Sequence, residues 1–376
     1  MNLLASLDGL LITNPTNIRY LTGFVGAAPD EREAYIVLTR SLLYLFINAL
    51  YIEAARNAEC RMPNVKLEII EISREEPFAK KLAEILKRCH LAKPQGDTLQ
   101  GFRLGFEETD LTVAEYHKIM HVHKNVILVQ TTGRVEELRM IKREDEIKNI
   151  RMAATLTDQC FDFILEKIKP GVSENKIAWE IESFIRSRGA QLAFSPIVAF
   201  GTHTSQPHYL TGPGLVKTPE LVLLDFGAKV NGYCSDMTRV VFVGKPKDEW
   251  RRAYNTVFDA QHAALEYLHL KRVKAHLPGD VRRSGANVDR IARKVIEKAG
   301  FPTYPHSLGH GVGLDIHEAP RLTINKDAEL KPGMVVTVEP GIYVEGSYGI
   351  RIEDLVLLKK DGIEILSTSK KEMIIL

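Results

Sequence analysis

Two stretches of this chain, residues 221–243 and 334–358, each read as a long hairpin that carries acids inside apolar strand. In the first, Leu221-Val222-Leu223-Leu224-Asp225-Phe226 runs to a turn near Asn231-Gly232 and returns through Asp236 to Arg239-Val240-Val241-Phe242. Asn-Gly between apolar runs is a strong hairpin signal. In the second, Met334-Val335-Val336-Thr337-Val338-Glu339 turns near Glu345-Gly346-Ser347 and returns through Glu353 to Leu355-Val356-Leu357-Leu358. Each hairpin has one acid near the end of its outgoing strand and one on its return, 11 positions apart in the first and 14 in the second. A carboxylate inside an apolar strand costs free energy unless it is hydrogen-bonded, paired or bound to a metal. A lone acid of this kind is more often structural. Four in matched contexts are not so easily dismissed.

If the hairpins lie side by side in one curved sheet, the four carboxylates converge. Divalent cations are then the simplest remedy for their repulsion. An imidazole donor is at hand between the hairpins, His310 in Gly309-His310-Gly311-Val312-Gly313, where glycines permit close backbone approach. An oxygen-rich set with one imidazole suits Mn, Co, Fe or Zn. Two such ions ~3.5–4 Å apart can hold a bridging hydroxide as nucleophile. His317-Glu318-Ala319-Pro320-Arg321 is not the H-E-x-x-H zinc helix, because Arg stands at 321. His208 sits in a turn-rich loop, Gln206-Pro207-His208-Tyr209. His306 and the histidines at 262, 269 and 276 read as ordinary surface or helix residues.

The rest of the chain sets the frame. Its 376 residues exceed one ordinary core, so two domains are expected, 1–134 and 135–376. The first alternates short strands (Leu10–Thr13, Tyr35–Leu38, Leu42–Phe46, Leu67–Ile70, Arg103–Phe106, Val126–Val129) with helical spacing over 77–88 and 111–121. It holds no ligand cluster, and its expected roles are packing, oligomerisation and shaping a cleft. The second opens with a long helix whose Ile147, Ile150, Ala154, Phe161, Ile164 and Ile168 share a face and which Pro170-Gly171 ends. A further helix follows Ser173, an N-cap candidate. Two more span Trp250 to Leu268 and Val288 to Ala299.

Lys plus Arg (50) nearly balances Asp plus Glu (48), net 50 − 48 = +2, which argues against a nucleic-acid partner. No apolar run approaches the ~20 residues of a membrane span. Cys60, Cys89, Cys160 and Cys234 are scattered, and Met1–Asp8 lacks a basic signal-peptide start, so the reduced cytoplasm is the expected compartment.

At these residues the sequence resembles the creatinase/prolidase/aminopeptidase P group of "pita-bread" metallopeptidases. The match lies in Tyr20-Leu21-Thr22-Gly23-Phe24, Leu224-Asp225-Phe226-Gly227, Ser235-Asp236-Met237-Thr238-Arg239, Gly309–Gly313, Val338-Glu339-Pro340-Gly341 and Arg351-Ile352-Glu353-Asp354. The resemblance implies an α/β (α+β) protein. A creatinase-like N-terminal α/β domain would precede a catalytic domain with a curved antiparallel sheet flanked by helices. It implies that Asp225 chelates one metal ion, that Asp236 and Glu353 bridge two, and that His310 and Glu339 bind the other. His208 and His317 would line the substrate site, Arg351 would support the acids, and Glu339 would also shuttle a proton. Arg321 resembles the arginine with which dipeptide-specific members grip a free carboxylate. The implied activity is cleavage between an N-terminal residue and proline in short peptides. The Xaa-Pro dipeptidase is favoured, with the Xaa-Pro aminopeptidase acting on longer peptides as alternative. A metal-free creatinase-like hydrolase or a non-catalytic binding protein are more distant readings. Relatives are often homodimers. The basic stretch 271–284 is longer here than is usual in the family and reads as a solvated loop or a rim element.

Overall fold

The computed structural model describes residues 3–26, 32–91, 101–120, 125–269 and 283–376. It divides into two compact units, Met1–Arg139 and Met140–Leu376. All but the last two residues of the basic stretch 271–284 lie outside the described residues.

In the first unit the apolar runs become strands Gly9–Ile12 (β1), Ala34–Leu38 (β2), Leu42–Asn48 (β3), Lys66–Ile72 (β4), Phe102–Glu107 (β5) and Val126–Thr131 (β6), in the order β4-β3-β2-β1-β5-β6. The ladders β1/β2 and β2/β3 are antiparallel, and those with β4, β5 and β6 are parallel. Leu82, Ile85 and Leu86 of helix Phe78–Leu91 pack with Val37, Phe46 and Leu104 of the sheet. The Tyr20–Phe24 string ends helix Pro15–Thr22, which Asn14 caps and Gly23 closes at φ 73°. Glu107 at the end of β5 accepts the N–H groups of Thr13 and Asn14 (2.7 and 2.8 Å) and the Asn17 amide (2.6 Å), which seats this helix on the sheet.

The second unit begins with helices Glu144–Leu165 and Glu174–Ser187. The first stops at Leu165, short of Pro170, and a single turn closes it where Lys167 N–H meets the Ile164 carbonyl (2.9 Å). The strands are Gln191–Leu192 (β7), Ile197–Phe200 (β8), Glu220–Phe226 (β9), Ala228–Val230 (β10), Tyr233–Cys234 (β11), Met237–Val243 (β12), Gly309–Gly311 (β13), Glu318–Leu322 (β14), Val335–Val338 (β15), Gly341–Val344 (β16), Tyr348–Arg351 (β17), Asp354–Lys359 (β18), Gly362–Ile365 (β19) and Ile374–Ile375 (β20). Helices Asp248–His269 and Gly285–Lys298 complete the unit.

The continuous apolar run of β9 is explained by burial on both faces. Val222, Leu224 and Phe226 pack with the helices of 144–187. Leu221 and Leu223 pack on the opposite face with Val257, Ala260 and Val288 of the later helices. Both hairpins form, and both change ladder at their acids. The first splits into β9/β12, in the order β20-β12-β9-β8, and β10/β11, in the order β11-β10-β7. The second splits into β15/β18, in the order β14-β13-β15-β18-β19, and the pair β16/β17. Asn231 and Gly232 both take positive φ (50° and 88°), as the two-residue hairpin turn requires. The two hairpins meet where Glu353 N–H donates to the Thr238 carbonyl (3.1 Å) and Arg239 Nη1 donates to the Glu353 carbonyl (2.5 Å). Among the described residues no helix is long and apolar enough to cross a membrane.

Candidate metal centre and active site

His310 sits on β13 between β14 and β15. A Cβ at Gly309 would lie 2.0 Å from the Thr337 carbonyl oxygen, and one at Gly311 2.2 Å from that of Ala319, so only glycine fits on either side. The imidazole is oriented by its own neighbour: Nδ1 lies 3.1 Å from the Gly311 carbonyl. A carbonyl only accepts, so Nδ1 carries the proton and Nε2 presents a lone pair. That Nε2 lies 3.6 Å from Asp236 Oδ2 and 3.5 Å from Glu339 Oε1. Burial pushes the ring's pKa down to about 3, so it stays neutral, as a metal ligand must.

The carboxylates gather around it. Asp225, Asp236 and Glu353 are buried, and Glu339 is largely so. Asp236, His310 and Glu353 each offer a ligand atom within 4.8 Å of the others. Thr238 Oγ1 donates to Glu353 Oε2 (2.7 Å), and Thr337 Oγ1 to Glu339 Oε1 (3.2 Å). Arg351 Nη2 pairs with Asp225 Oδ2, while its Nε donates to Thr238 Oγ1 (3.0 Å) and its Nη1 to Tyr343 Oη (2.8 Å). Asp225 Oδ1 is buried with no hydrogen-bond partner. Desolvation and mutual repulsion hold these acids above the carboxylate range. Burial, then Glu353, raises both Asp236 and Glu339 well above it, and burial, then Asp225, lifts Glu353 to about 8. Burial also raises Asp225, against the pull of Arg351. An unpartnered oxygen, a free imidazole nitrogen and crowded carboxylates fit divalent cations held by oxygen and nitrogen.

The cavity over this cluster has a volume of about 280 Å³, and all nine residues named from the sequence border it. Asp225, Asp236, His310, Glu339, Glu353 and Arg351 form its floor, and exposed His208, His317 and Arg321 its rim. The His317 ring stands 4.4 Å from that of His310, nearly perpendicular. Arg321 lies directly across from His310 in the β13/β14 ladder. Cross-strand partners put their side chains on one face, so the register explains how a strand arginine reaches the rim.

His208 is carried by a loop clipped at both ends to one acid. Glu174, fully buried, accepts from Phe200 N–H (2.9 Å), Tyr209 Oη (2.9 Å) and Gly212 N–H (3.2 Å), and meets His203 Nδ1 at 2.7 Å. Glu174 directly follows the cap residue Ser173 in the first turn of its helix, and the structure makes it the anchor of that loop. His306 also departs from its sequence reading. It lines the cavity, with Nε2 3.0 Å from Tyr343 Oη, and burial lowers its pKa to about 4. Thr238, Tyr343 and Thr337 are further site residues that sequence reasoning passed over. Thr238 had a signal: a turn centred on Asn231-Gly232 sets it opposite Asp225, as observed.

A buried acid-and-imidazole cluster at the junction of two broken hairpins, in a chain that opens with an α/β unit, is the build of a metallopeptidase. Residues 148–360 match the metallopeptidase family M24 profile, and residues 4–141 match the creatinase/prolidase N-terminal domain. The chain belongs to metallopeptidase family M24. It is 39% identical to the uncharacterized peptidase YqhT of Bacillus subtilis over 98% of this chain and 96% of that one. Among solved structures it resembles an Xaa-Pro dipeptidase from Bacillus anthracis (TM-score 0.85, 34% identity, 99% of this chain and 96% of that one). It also resembles an X-Pro aminopeptidase from Thermotoga maritima (TM-score 0.83, 29% identity, 99% of each chain). A third likeness is to a prolidase from Pyrococcus furiosus (TM-score 0.81, 30% identity, 97% of each chain).

Proposed function

We propose that the chain hydrolyses the peptide bond between an N-terminal residue and proline in short peptides, as a two-metal Xaa-Pro dipeptidase of the cytoplasm. The observation that carries this reading is that Asp225, Asp236, His310, Glu339 and Glu353 line one cavity with His208, His317 and Arg321, with ligand atoms of Asp236, His310 and Glu353 within 4.8 Å of one another. Asp225 would hold one ion, His310 and Glu339 the other, and Asp236 and Glu353 both, with Mn or Co the metals of choice. When bound, the ions supply a nucleophilic hydroxide at neutral pH and Lewis acidity toward the scissile carbonyl.

The chain's own groups do the rest. Arg351 neutralises Asp225 on one side and leaves Oδ1 free. His208 and His317 donate hydrogen bonds to the substrate and to the oxyanion that develops from its carbonyl. Glu339 takes a proton from the attacking water and returns it to the leaving proline nitrogen. Arg321 offers a planar fork to the free carboxylate of a dipeptide. Four free cysteines agree with a reducing compartment.

The deciding experiment compares hydrolysis of Xaa-Pro with Xaa-Pro-Yaa in Mn²⁺ or Co²⁺ and after chelation. The expected result is metal-dependent turnover with higher kcat/KM on the dipeptide. Arg321→Ala should weaken the dipeptide alone. Faster cleavage of the tripeptide, unaffected by that substitution, would make the chain an aminopeptidase instead.

A further inference from the structure

Glu339 and Glu353 both follow the point where a strand of the second hairpin leaves its ladder, so something besides the ladder must set the peptide planes that aim them. The N–H end of each plane is held by a different segment, the residue just ahead of β13 for one and β12 for the other. Glu339 N–H donates to the Leu308 carbonyl (2.8 Å), and Glu353 N–H to the Thr238 carbonyl (3.1 Å). The carbonyl ends of the same two peptides belong to Val338 and Ile352. Gln261 Nε2 lies 3.3 Å from the Val338 oxygen and 3.3 Å from the Ile352 oxygen. One buried amide, 1% exposed and projecting from helix Asp248–His269, thus reaches both planes.

Chemistry fixes which way the amide points. Both carbonyls only accept, so nitrogen must face them. On the other side Lys371 Nζ, which only donates, lies 3.3 Å from Gln261 Oε1. Lys371 is itself anchored on Asp354 Oδ2 (2.6 Å), and Asp354 Oδ1 is held by Arg239 Nη2 (2.8 Å). The glutamine is therefore locked at both ends of its amide.

We propose that Gln261 is a positioning residue for the metal centre: it ties the peptide ahead of Glu339 to the peptide ahead of Glu353, and so sets the spacing of the two carboxylates. The inference rests on the reading of Glu339 and Glu353 as metal ligands. Groups that orient ligands without touching the ion typically govern tenfold to a hundredfold in metal affinity.

The test is Gln261→Met, which keeps length and loses the donors, measured by chelator competition for Mn²⁺ and by the rise in Tm that Mn²⁺ produces. The expected result is about a tenfold weaker Kd and a smaller Mn²⁺-induced rise. A variant that melts lower without metal but shows wild-type Kd and the wild-type rise has lost packing alone, and that overturns the proposal. Glu339→Gln and Glu353→Gln run beside it. If they bind less Mn²⁺ and Gln261→Met does not, the positioning role is wrong. If neither loses Mn²⁺, the ligand reading is wrong and the proposal goes with it. Should Gln261→Met fail to fold, Gln261→Asn keeps the amide but draws it back by one methylene from both carbonyls. Weaker Mn²⁺ binding is expected there too, and wild-type affinity overturns the proposal.

Discussion

Asp236 and His317 both lie close to His310, yet their chemistry separates them. Asp236 is buried with an oxygen 3.6 Å from His310 Nε2, whereas His317 is exposed at the rim and meets His310 through its ring. Asp236→Ala should therefore strip the site of metal and cut turnover by about a thousandfold or more, a loss of ~4 kcal/mol of transition-state stabilisation. His317→Ala should lower kcat by about a hundredfold and keep its metal. Metal analysis of the two purified variants checks both, and metal loss in His317→Ala would make that histidine a ligand. Five acid and imidazole positions were legible because each broke an apolar pattern or sat between glycines. The opposition of two of them was less visible. Val338 pairs with Asp354 and Gly341 with Arg351, so the same register carried through the break sets Glu339 opposite Glu353. Like charges at facing positions are destabilising without a cation, and that repulsion could have been read from the turn at Gly346 alone.

Strands and helices were easier to read than the contacts between them. The Asn231-Gly232 turn and the Ser173 cap appear where residue chemistry demands, with Ser173 Oγ accepting from Lys176 N–H (3.2 Å). That each hairpin would change partners at its acids was hidden, because a ladder switch depends on what other strands offer. The loop of His208 shows the same limit, since the four groups that meet on Glu174 lie 26 to 38 positions beyond it in the chain. Glu174→Gln replaces one acceptor oxygen with a donor that faces other donors. Faster amide exchange over residues 203–212 and a tenfold fall in kcat/KM are expected, with no further fall when His208 is already Ala. Additive losses would mean that Glu174 acts elsewhere. A different link joins helix Glu144–Leu165 to β19, where Arg151 grips Glu364 through two bonds (2.9 and 3.0 Å). That grip lowers the Glu364 pKa from 4.5 to about 2. A depressed folded-state pKa contributes stability above 4.5 that is lost as pH falls toward 2. The pair is partly solvated, so Glu364→Gln should cost at most about 1 kcal/mol at neutral pH, and the difference from wild type should vanish near pH 2 in urea titrations.

At the scale of the catalytic unit, the last residues of the chain are bound into its first helix. Asp158 accepts Thr368 N–H (2.8 Å), Thr368 Oγ1 (2.7 Å), Ser369 N–H (2.8 Å) and Ser369 Oγ (2.5 Å). The Ser369 carbonyl in turn receives Arg239 Nη2 (2.9 Å), and the same guanidinium supports Glu353 and Asp354. Beyond it, β20 runs parallel to β12, and Leu376 exchanges backbone bonds with Phe242 and Gly244. The end of the chain is thus a structural wall of the unit, more than 200 residues from the helix it grips. Nothing in the sequence of 367–376 announces this, because the string is short and its partners lie far back. The consequence is measurable. Asp158→Ala removes a charged acceptor from four donors at once, and hydrogen bonds to charged groups contribute about 1.5–3 kcal/mol each, less than additively. One of the donors, the hydroxyl of exposed Thr368, can turn toward water, and the four bonds share one carboxylate, so a loss of about 2–4 kcal/mol of unfolding free energy is expected rather than the full sum. A urea midpoint displaced at unchanged slope would report it as stability alone. A change within about 0.5 kcal/mol, the range of surface substitutions, would mean that the tail lies against the unit without holding it.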